Sequence, residues 1–494
     1  MANNQFPTPP SAPPPAFFDE NTTLVPPEEI PPIPPNYQAP DSIAPPVIRE
    51  SPFKIIVPVV LVLLVLGLIG FFVLKFLNAP KPAGSDPKNP TTITYWGLWE
   101  TPSIMKPVID TFESANPGIK VNYQLQSQLD YQERANTALD SQKPPDVIRL
   151  HSTWLPVFYT KLIPAPANTI SETEIKTNFY PAARQLVLTS QVYGVPMTME
   201  GLALFINTKM FEAKSLSAPK TWEDLATAAK SLTVRDSATG KITRAGVALG
   251  NTKNVDLWPD IVSLMLLQGG SNLLNPSEKS LTSTLKYYNS FAGAANGVWD
   301  STLPNSTLAF ANEKVAMILA PSWKAVDIQT INPSLAWKVA PAPQLPEVEP
   351  INWTSFWFEA VPKNSTHTEE AWKFVTFLSS AKAQQLLFES ASKERGFSQV
   401  PANKSVASLA QQNPIIAAFV ESMPTAQTFY TASLTHDSST GLNARLIKYL
   451  EDALNGSVNG GQDAAVVAAT LSNGFNQVLS QYRLVKPFAA PVAQ

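Results

Sequence analysis

The 494-residue sequence contains no cysteine. That absence excludes disulfides, thiolate catalysis, cysteine-ligated zinc or iron–sulfur centres, and any lipid attached through cysteine. Histidine is nearly as scarce, limited to His151, His367 and His436, too few for a histidine-rich metal site. Charge of one sign is also lacking. With 36 basic and 39 acidic residues the formal net charge is −3, without the basic excess that marks nucleic-acid binding. There is no glycine-rich phosphate loop, no nucleophile elbow and no HExxH zinc motif. No Asp-rich calcium loop occurs either. No cofactor or metal is expected, and no enzyme motif is present. Carboxylates are numerous, which leaves a two-carboxylate hydrolase open as an alternative.

What is abundant is proline, and it is unevenly spread. Residues 1–52 hold 16 of the 47 prolines, with six acids and one base. Proline has no amide hydrogen and a fixed φ, so this stretch resists both helix and sheet. It reads as a disordered tail with polyproline II stretches. Residues 55–74, IIVPVVLVLLVLGLIGFFVL, carry no charge and are bracketed by Lys54 and Lys75. As a helix they would reach about 30 Å, the thickness of a bilayer core. The run starts too late and is too long for a cleaved signal peptide, so residues 53–77 are expected to be a single transmembrane helix. Arg49 and Lys54 flank it on one side, and Lys75, Lys81 and Lys88 on the other. This bias slightly favours the C-terminal side inside. Residues 78–90 are a Pro/Gly/Ser linker.

From residue 91 the pattern becomes that of an α/β domain. Strand signals at 91–96 (TTITYW), 119–123 (IKVNY) and 146–150 (DVIRL) alternate with helix signals. Thr101-Pro102 opens a helix striped by Met105, Val108, Ile109 and Phe112, and Asn116-Pro117-Gly118 stops it. The β-α-β-α-β order predicts a parallel sheet with helices on its faces. In such sheets ligands bind beyond the carboxyl ends of the strands, here 96–100 and 151–154. Further on, Thr221 to Asp224 reads as a capping box, 233–249 as a hairpin, and the chain after 404 as mostly helical.

Tryptophans cluster in the predicted loops: Trp96, Trp99, Trp154, Trp258, Trp323, Trp353 and Trp357. Aromatic faces beside carboxylates suit a neutral polar solute such as a sugar. Trp222, Trp299, Trp337 and Trp372 read as core. His151 reads as a structural hydrogen-bonding residue and Arg395 as a surface residue.

Several stretches occur together in a telling order. They are Ile93-Thr-Tyr-Trp96, Phe112 to Val121, Pro145-Asp-Val-Ile148, Tyr193-Gly-Val-Pro196, Glu200 to Asn207 and Pro219 to Leu225. Phe310 to Met317, Pro321-Ser-Trp323 and Glu370 to Phe374 follow. In this the chain from about 91 to 482 resembles the extracellular solute-binding proteins of ABC importers, the carbohydrate-binding family that includes maltose-binding protein. The resemblance implies a two-lobed periplasmic-binding-protein-like fold of type II, each lobe a sheet flanked by helices. Lobe 1 is expected at 91–199 plus 336–381, lobe 2 at 200–335 plus 382–485, and a C-terminal tail at 486–494. The first hinge crossing is expected near 197–201.

The resemblance also implies a ligand site of Trp99, Glu100, Trp154, Glu200, Trp323, Trp357 and Phe429, with Tyr430 the alternative to Phe429. The family's Asp-Arg pair is missing from the loop 151–154, so maltose itself is not implied. The implied partners are a carbohydrate or similar polar solute, ABC permease subunits, and the bilayer through residues 55–74. A solute receptor must face outward. The expected placement is therefore a single-pass cell-membrane protein with its N-terminus cytoplasmic and the binding domain extracellular, against the weak charge bias. Relatives are commonly tethered through a lipidated cysteine, a route closed here. Alternatives are a solute sensor or scaffold of the same fold, or a cell-surface glycoside hydrolase.

Overall fold

Strand β1 (Thr91–Gly97) buries Ile93, Tyr95 and Gly97 and leaves the residues between them partly exposed, the period-two pattern of a strand packed on one face. The chain is described by a computed structural model over residues 88–292, 297–459 and 463–485. The proline-rich stretch 1–52, the apolar run 55–74, the linker up to residue 87 and the tail 486–494 lie outside the described residues. Among the described residues no helix is long and apolar enough to cross a membrane.

After β1, Thr101 caps helix α1 (Pro102–Ala115) by accepting the Ile104 amide at 3.3 Å. The buried stripe Ile104, Met105, Val108, Ile109 and Phe112 lays this helix on the sheet. Then come β2 (Ile119–Leu125), α2 (Tyr131–Asp140) and β3 (Val147–His151). The chain continues through β4 (Val195–Pro196), β5 (Thr198–Gly201), β6 (Ala203–Asn207), α3 (Trp222–Leu232), β7 (Val234–Arg235) and β8 (Ile242–Val247). Next are α4 (Trp258–Gln268), α5 (Glu278–Asn289), β9 (Val315–Ala320), β10 (Trp337–Pro341), β11 (Asn352–Ser355) and β12 (Trp357–Ala360). Helices α6 (Thr368–Leu378) and α7 (Ala381–Arg395), strands β13 (Val400–Pro401) and β14 (Ala426–Gln427), and helices α8 (Leu442–Asn459) and α9 (Ala464–Gln481) follow, with short helices and a small two-stranded ribbon between these principal elements.

Two five-stranded sheets form the lobes, β2-β1-β3-β12-β4 and β10-β6-β9-β8-β7. A third sheet, β13-β5-β11-β14, lies on the connections between them. The chain passes from the first sheet to the second through β5, directly after β4 and before β6. It returns through β11, which pairs antiparallel with β5 (Thr354 with Gly201, Ser355 with Glu200). These crossing strands form the hinge.

The parallel expectation holds for β2-β1-β3. Strand β12 runs antiparallel to both β3 and β4, because it enters the first lobe from the returning crossing rather than from a helix. Two segments lie elsewhere than in the expected lobe. Strand β10, expected in the first, is hydrogen-bonded to β6 in the second sheet, with Trp337 stacked on Phe205 at 5.3 Å. Helix α7, expected in the second, packs on α1, and its Glu394 accepts from the Thr101 and Ser103 hydroxyls at 2.8 and 2.7 Å. In the second lobe, Thr221 and Asp224 form a capping box at the start of α3. That helix lies so close to β8 that a Cβ on Gly246 would stand 1.9 Å from the Ala229 carbonyl oxygen.

Candidate functional site

The ends of β1 and β3, the hinge, and the segments after β9 and β14 converge on one cavity of about 670 Å³. Its first-lobe wall begins at Trp99, which leaves β1 in the left-handed conformation (φ 70°) and is 36% exposed. Glu100, next to it, is buried and forms an ion pair with Arg149 of β3. Arg149 also donates to Glu359 of β12 at 2.6 Å and to the Leu98 carbonyl at 2.6 Å. The Tyr95 hydroxyl donates to the same Glu359 oxygen at 2.7 Å. Desolvation would lower the Arg149 pKa, but Glu100 and then Glu359 outweigh it and raise it well above its ordinary value. A buried cation held by two carboxylates thus forms the floor of the cavity. Arg395, at the end of α7, lies 3.8 Å from Glu100.

The hinge contributes Glu200 on β5. This half-buried carboxylate accepts from the Ser322 hydroxyl at 3.0 Å, and its backbone carbonyl accepts from Thr354 at 2.5 Å. Desolvation pushes its pKa up to about 8, against the opposing Ser322 hydrogen bonds. The second lobe contributes Asp260 on α4, one oxygen of which accepts from the Trp353 indole and the Ser433 amide, both at 3.0 Å. Its other oxygen makes no hydrogen bond among the described residues. Burial raises its pKa to about 6, with the Ser433 hydrogen bonds opposing. His151 is buried, its Nδ1 bonded to the Thr153 hydroxyl at 2.7 Å, and desolvation lowers its pKa to about 3. Lys324 lies over the Trp323 ring at 4.7 Å.

Of the residues expected from the sequence, Trp99, Glu100, Glu200, Trp323 and Trp357 line this cavity. Trp154 and Phe429 do not. The turn Ser152–Trp154 folds the Trp154 ring beneath Trp357, 5.3 Å away and edge-on, and buries it completely. Phe429 stacks on Phe475 of α9 at 6.0 Å. Tyr430 lines a separate cavity of about 200 Å³ with Ser152 and Tyr482. Arg395, read as a surface residue, lines the main cavity, as does His151. Trp353, one of the loop tryptophans noted in the sequence, lines the cavity as well, as do Arg149, Asp260 and His436, which no sequence pattern marked as ligand residues. Of those three, Arg149, a lone charge inside an apolar strand, carries the visible signal.

The site thus offers indole faces, carboxyl oxygens as acceptors and hydroxyl donors. Among the described residues no cluster of His, Asp and Glu could hold a metal ion. These are the means of holding a polar solute between hinged lobes, and the comparisons agree. The chain is similar to the multiple sugar-binding protein of Streptococcus mutans, 24% identical over 66% of this chain and 80% of that protein. It is also similar to the diacetylchitobiose binding protein of Streptomyces coelicolor, 23% identical over 52% of this chain and 60% of that protein. Among solved structures, the sugar-binding protein MalE of Xanthomonas citri shares the fold with a TM-score of 0.64 at 18% identity, covering 80% of this chain and 98% of that one. The GacH receptor of Streptomyces glaucescens does so with a TM-score of 0.59 at 20% identity, covering 80% and 100%. The family described as bacterial extracellular solute-binding protein, whose members bind solutes rather than convert them, matches residues 98–385, and the chain belongs to it.

Proposed function

We propose that this protein is the membrane-anchored, substrate-capturing component of an ABC-type importer and that its solute is a carbohydrate. One observation carries the reading. A single cavity straddles the hinge and is lined by Trp99, Trp323, Trp353 and Trp357 together with Glu200 and Asp260. Indole rings stack on the apolar faces of pyranoses, and carboxyl oxygens accept from their hydroxyls. Ligand touching both lobes favours the closed state, which then presents a distinct surface to permease subunits. The sugars named for the relatives, diacetylchitobiose among them, support the same class.

The apolar run 55–74 is the anchor, with residues 1–52 in the cytoplasm and the binding domain outside. This rests on its length and lack of charge, and on the absence of a cysteine for lipid attachment.

The test is thermal unfolding of the full-length chain in detergent micelles against mono- and oligosaccharides, sugar phosphates and peptides. Binding to the native state alone raises the melting temperature by mass action. A rise with one sugar class, without turnover, is the expected result. A rise only with peptides or phosphates refutes the carbohydrate assignment, and release of a hydrolysis product refutes the receptor.

A further inference from the structure

Two aromatic rings from opposite lobes meet at the cavity. Trp99 leaves β1 of the first lobe. His436 belongs to the segment between β14 and α8, which is tied to the second lobe at two points. The Ser433 amide donates to Asp260 at 3.0 Å, and the Thr431 and Ser263 hydroxyls pair at 2.5 Å. Asp437 accepts the amides of Asn443 and Ala444, at the start of α8, at 2.9 and 3.3 Å, and the Asn443 side-chain amide donates to the Thr153 hydroxyl after β3 at 2.7 Å. The rings of Trp99 and His436 lie 5.9 Å apart, centroid to centroid, with their planes tilted by 41°. Behind Trp99 stands Trp357, edge-on at 6.0 Å, and behind that the buried Trp154 at 5.3 Å. The first-lobe half of the contact is therefore braced by packed rings.

A second observation points the same way. Trp99, Leu434 and His436 have φ of 70°, 55° and 57°, and all three line this one cavity. An ordinary side chain reaches that region only at a cost, which glycine escapes. Such conformations persist where the surroundings impose them, and they gather at ligand clamps. Burial also lowers the His436 pKa, with Asp437 opposing, so the ring meets the indole in its neutral form near pH 7.

We infer that Trp99 and His436 form a cross-lobe clamp that limits the length of the bound carbohydrate, making the preferred ligand a di- or trisaccharide. This rests on the carbohydrate reading above. The volume of the partly open cavity agrees with it. Cavities of about 300–1,000 Å³ enclose a drug-sized ligand, the size of two or three sugar rings, and this one is about 670 Å³. A longer chain would have to pass the point where the two rings meet.

The test is calorimetric titration of the full-length chain in micelles with oligosaccharide ladders, from the disaccharide to the heptasaccharide. Malto-, cello-, manno- and chito-oligosaccharides are the probes. Trp99→Gly and His436→Gly are compared with the wild type, because glycine removes the ring without strain at these backbone angles. Unliganded melting temperatures establish that each variant is folded. Asparagine, also at home in the left-handed region, replaces glycine in any variant that melts early.

The wild type is expected to bind one ladder best as the di- or trisaccharide and to weaken with length. Each variant should lose about tenfold on the short sugar, the scale of one aromatic contact, and its affinity should no longer fall with length. A fall with length that persists unchanged in both folded variants, or is absent from the wild type, overturns the clamp and leaves the carbohydrate reading standing. A wild type that binds no member of any ladder overturns both.

Discussion

Replacing Glu200 by glutamine tests the electrostatics of the hinge. The carboxyl is raised from its ordinary 4.5 to about 8 in the folded protein, chiefly by desolvation. The native state therefore binds the proton more tightly than the unfolded chain. Stability falls with pH wherever the native state holds more protons. The contribution of Glu200 is thus most favourable below about pH 4.5 and is lost as pH rises toward about 8. A shift of that size corresponds to at most about 5 kcal/mol. The side chain is half-buried and opens onto the cavity, so solvent screening reduces this to about 2 kcal/mol. Asp260 and Glu359 are also raised by burial and add their own slopes, so the informative quantity is the difference between wild type and variant. In urea titrations from about pH 5 to about pH 9, Glu200→Gln should lose part of the decline and gain relative stability at the alkaline end. Parallel curves for the two proteins would refute the argument that burial at the hinge holds this proton.

Three further perturbations follow from the packing. Arg149→Met leaves Glu359 buried without its cation and Glu100 with only Arg395 at 3.8 Å, and should cost about 3–5 kcal/mol near neutral pH. The loss should shrink in acid, where Glu359, its carboxyl already raised by burial, protonates, as read from denaturant midpoints at two pH values. Gly246→Ala drives a methyl into the Ala229 carbonyl, whose oxygen would be 1.9 Å away. Helix α3 must then move off the sheet, and a loss of about 3 kcal/mol or failure to express soluble protein is expected. Thr221→Ala removes the cap of α3 and should cost about 1 kcal/mol in the tryptophan-fluorescence unfolding midpoint, without changing ligand affinity.

Much of the first lobe was legible because its signals are local. Ile93 and Tyr95 alternate with polar neighbours, Thr101 precedes a proline and an apolar stripe, and Asn116-Pro117-Gly118 cannot continue a helix. These features act within a few residues, and the structure places β1, α1, β2 and β3 close to where they predict. Trp99, Glu200, Trp323 and Trp357 lie in the cavity for a related reason, since each sits at a strand end or a crossing where an α/β sheet opens.

Trp154 and Phe429 show where that reasoning stops. Both are aromatics in short segments after strands, as Trp99 is. Whether such a ring faces ligand or core depends on what arrives from elsewhere in the chain. For Trp154 it is Trp357, on a strand that returns from the other lobe. For Phe429 it is Phe475 of the last helix. The side chain of Arg395 points the same lesson in the other direction, because only the docking of α7 on α1 brings it beside Glu100.

Composition and local pattern were enough to exclude disulfides and thiol chemistry, to mark off the proline-rich and apolar N-terminal segments, and to indicate an α/β domain; the two-lobed binding fold came from the resemblance. Tertiary structure decided the direction of β12, the lobe to which β10 and α7 belong, the buried Arg149 network, and the meeting of Trp99 with His436. The physical reason is range. Helix caps, strand alternation and turn chemistry are settled by neighbours in sequence, whereas a ligand cavity is assembled from contacts across hundreds of residues, and no local pattern records which two surfaces will face each other.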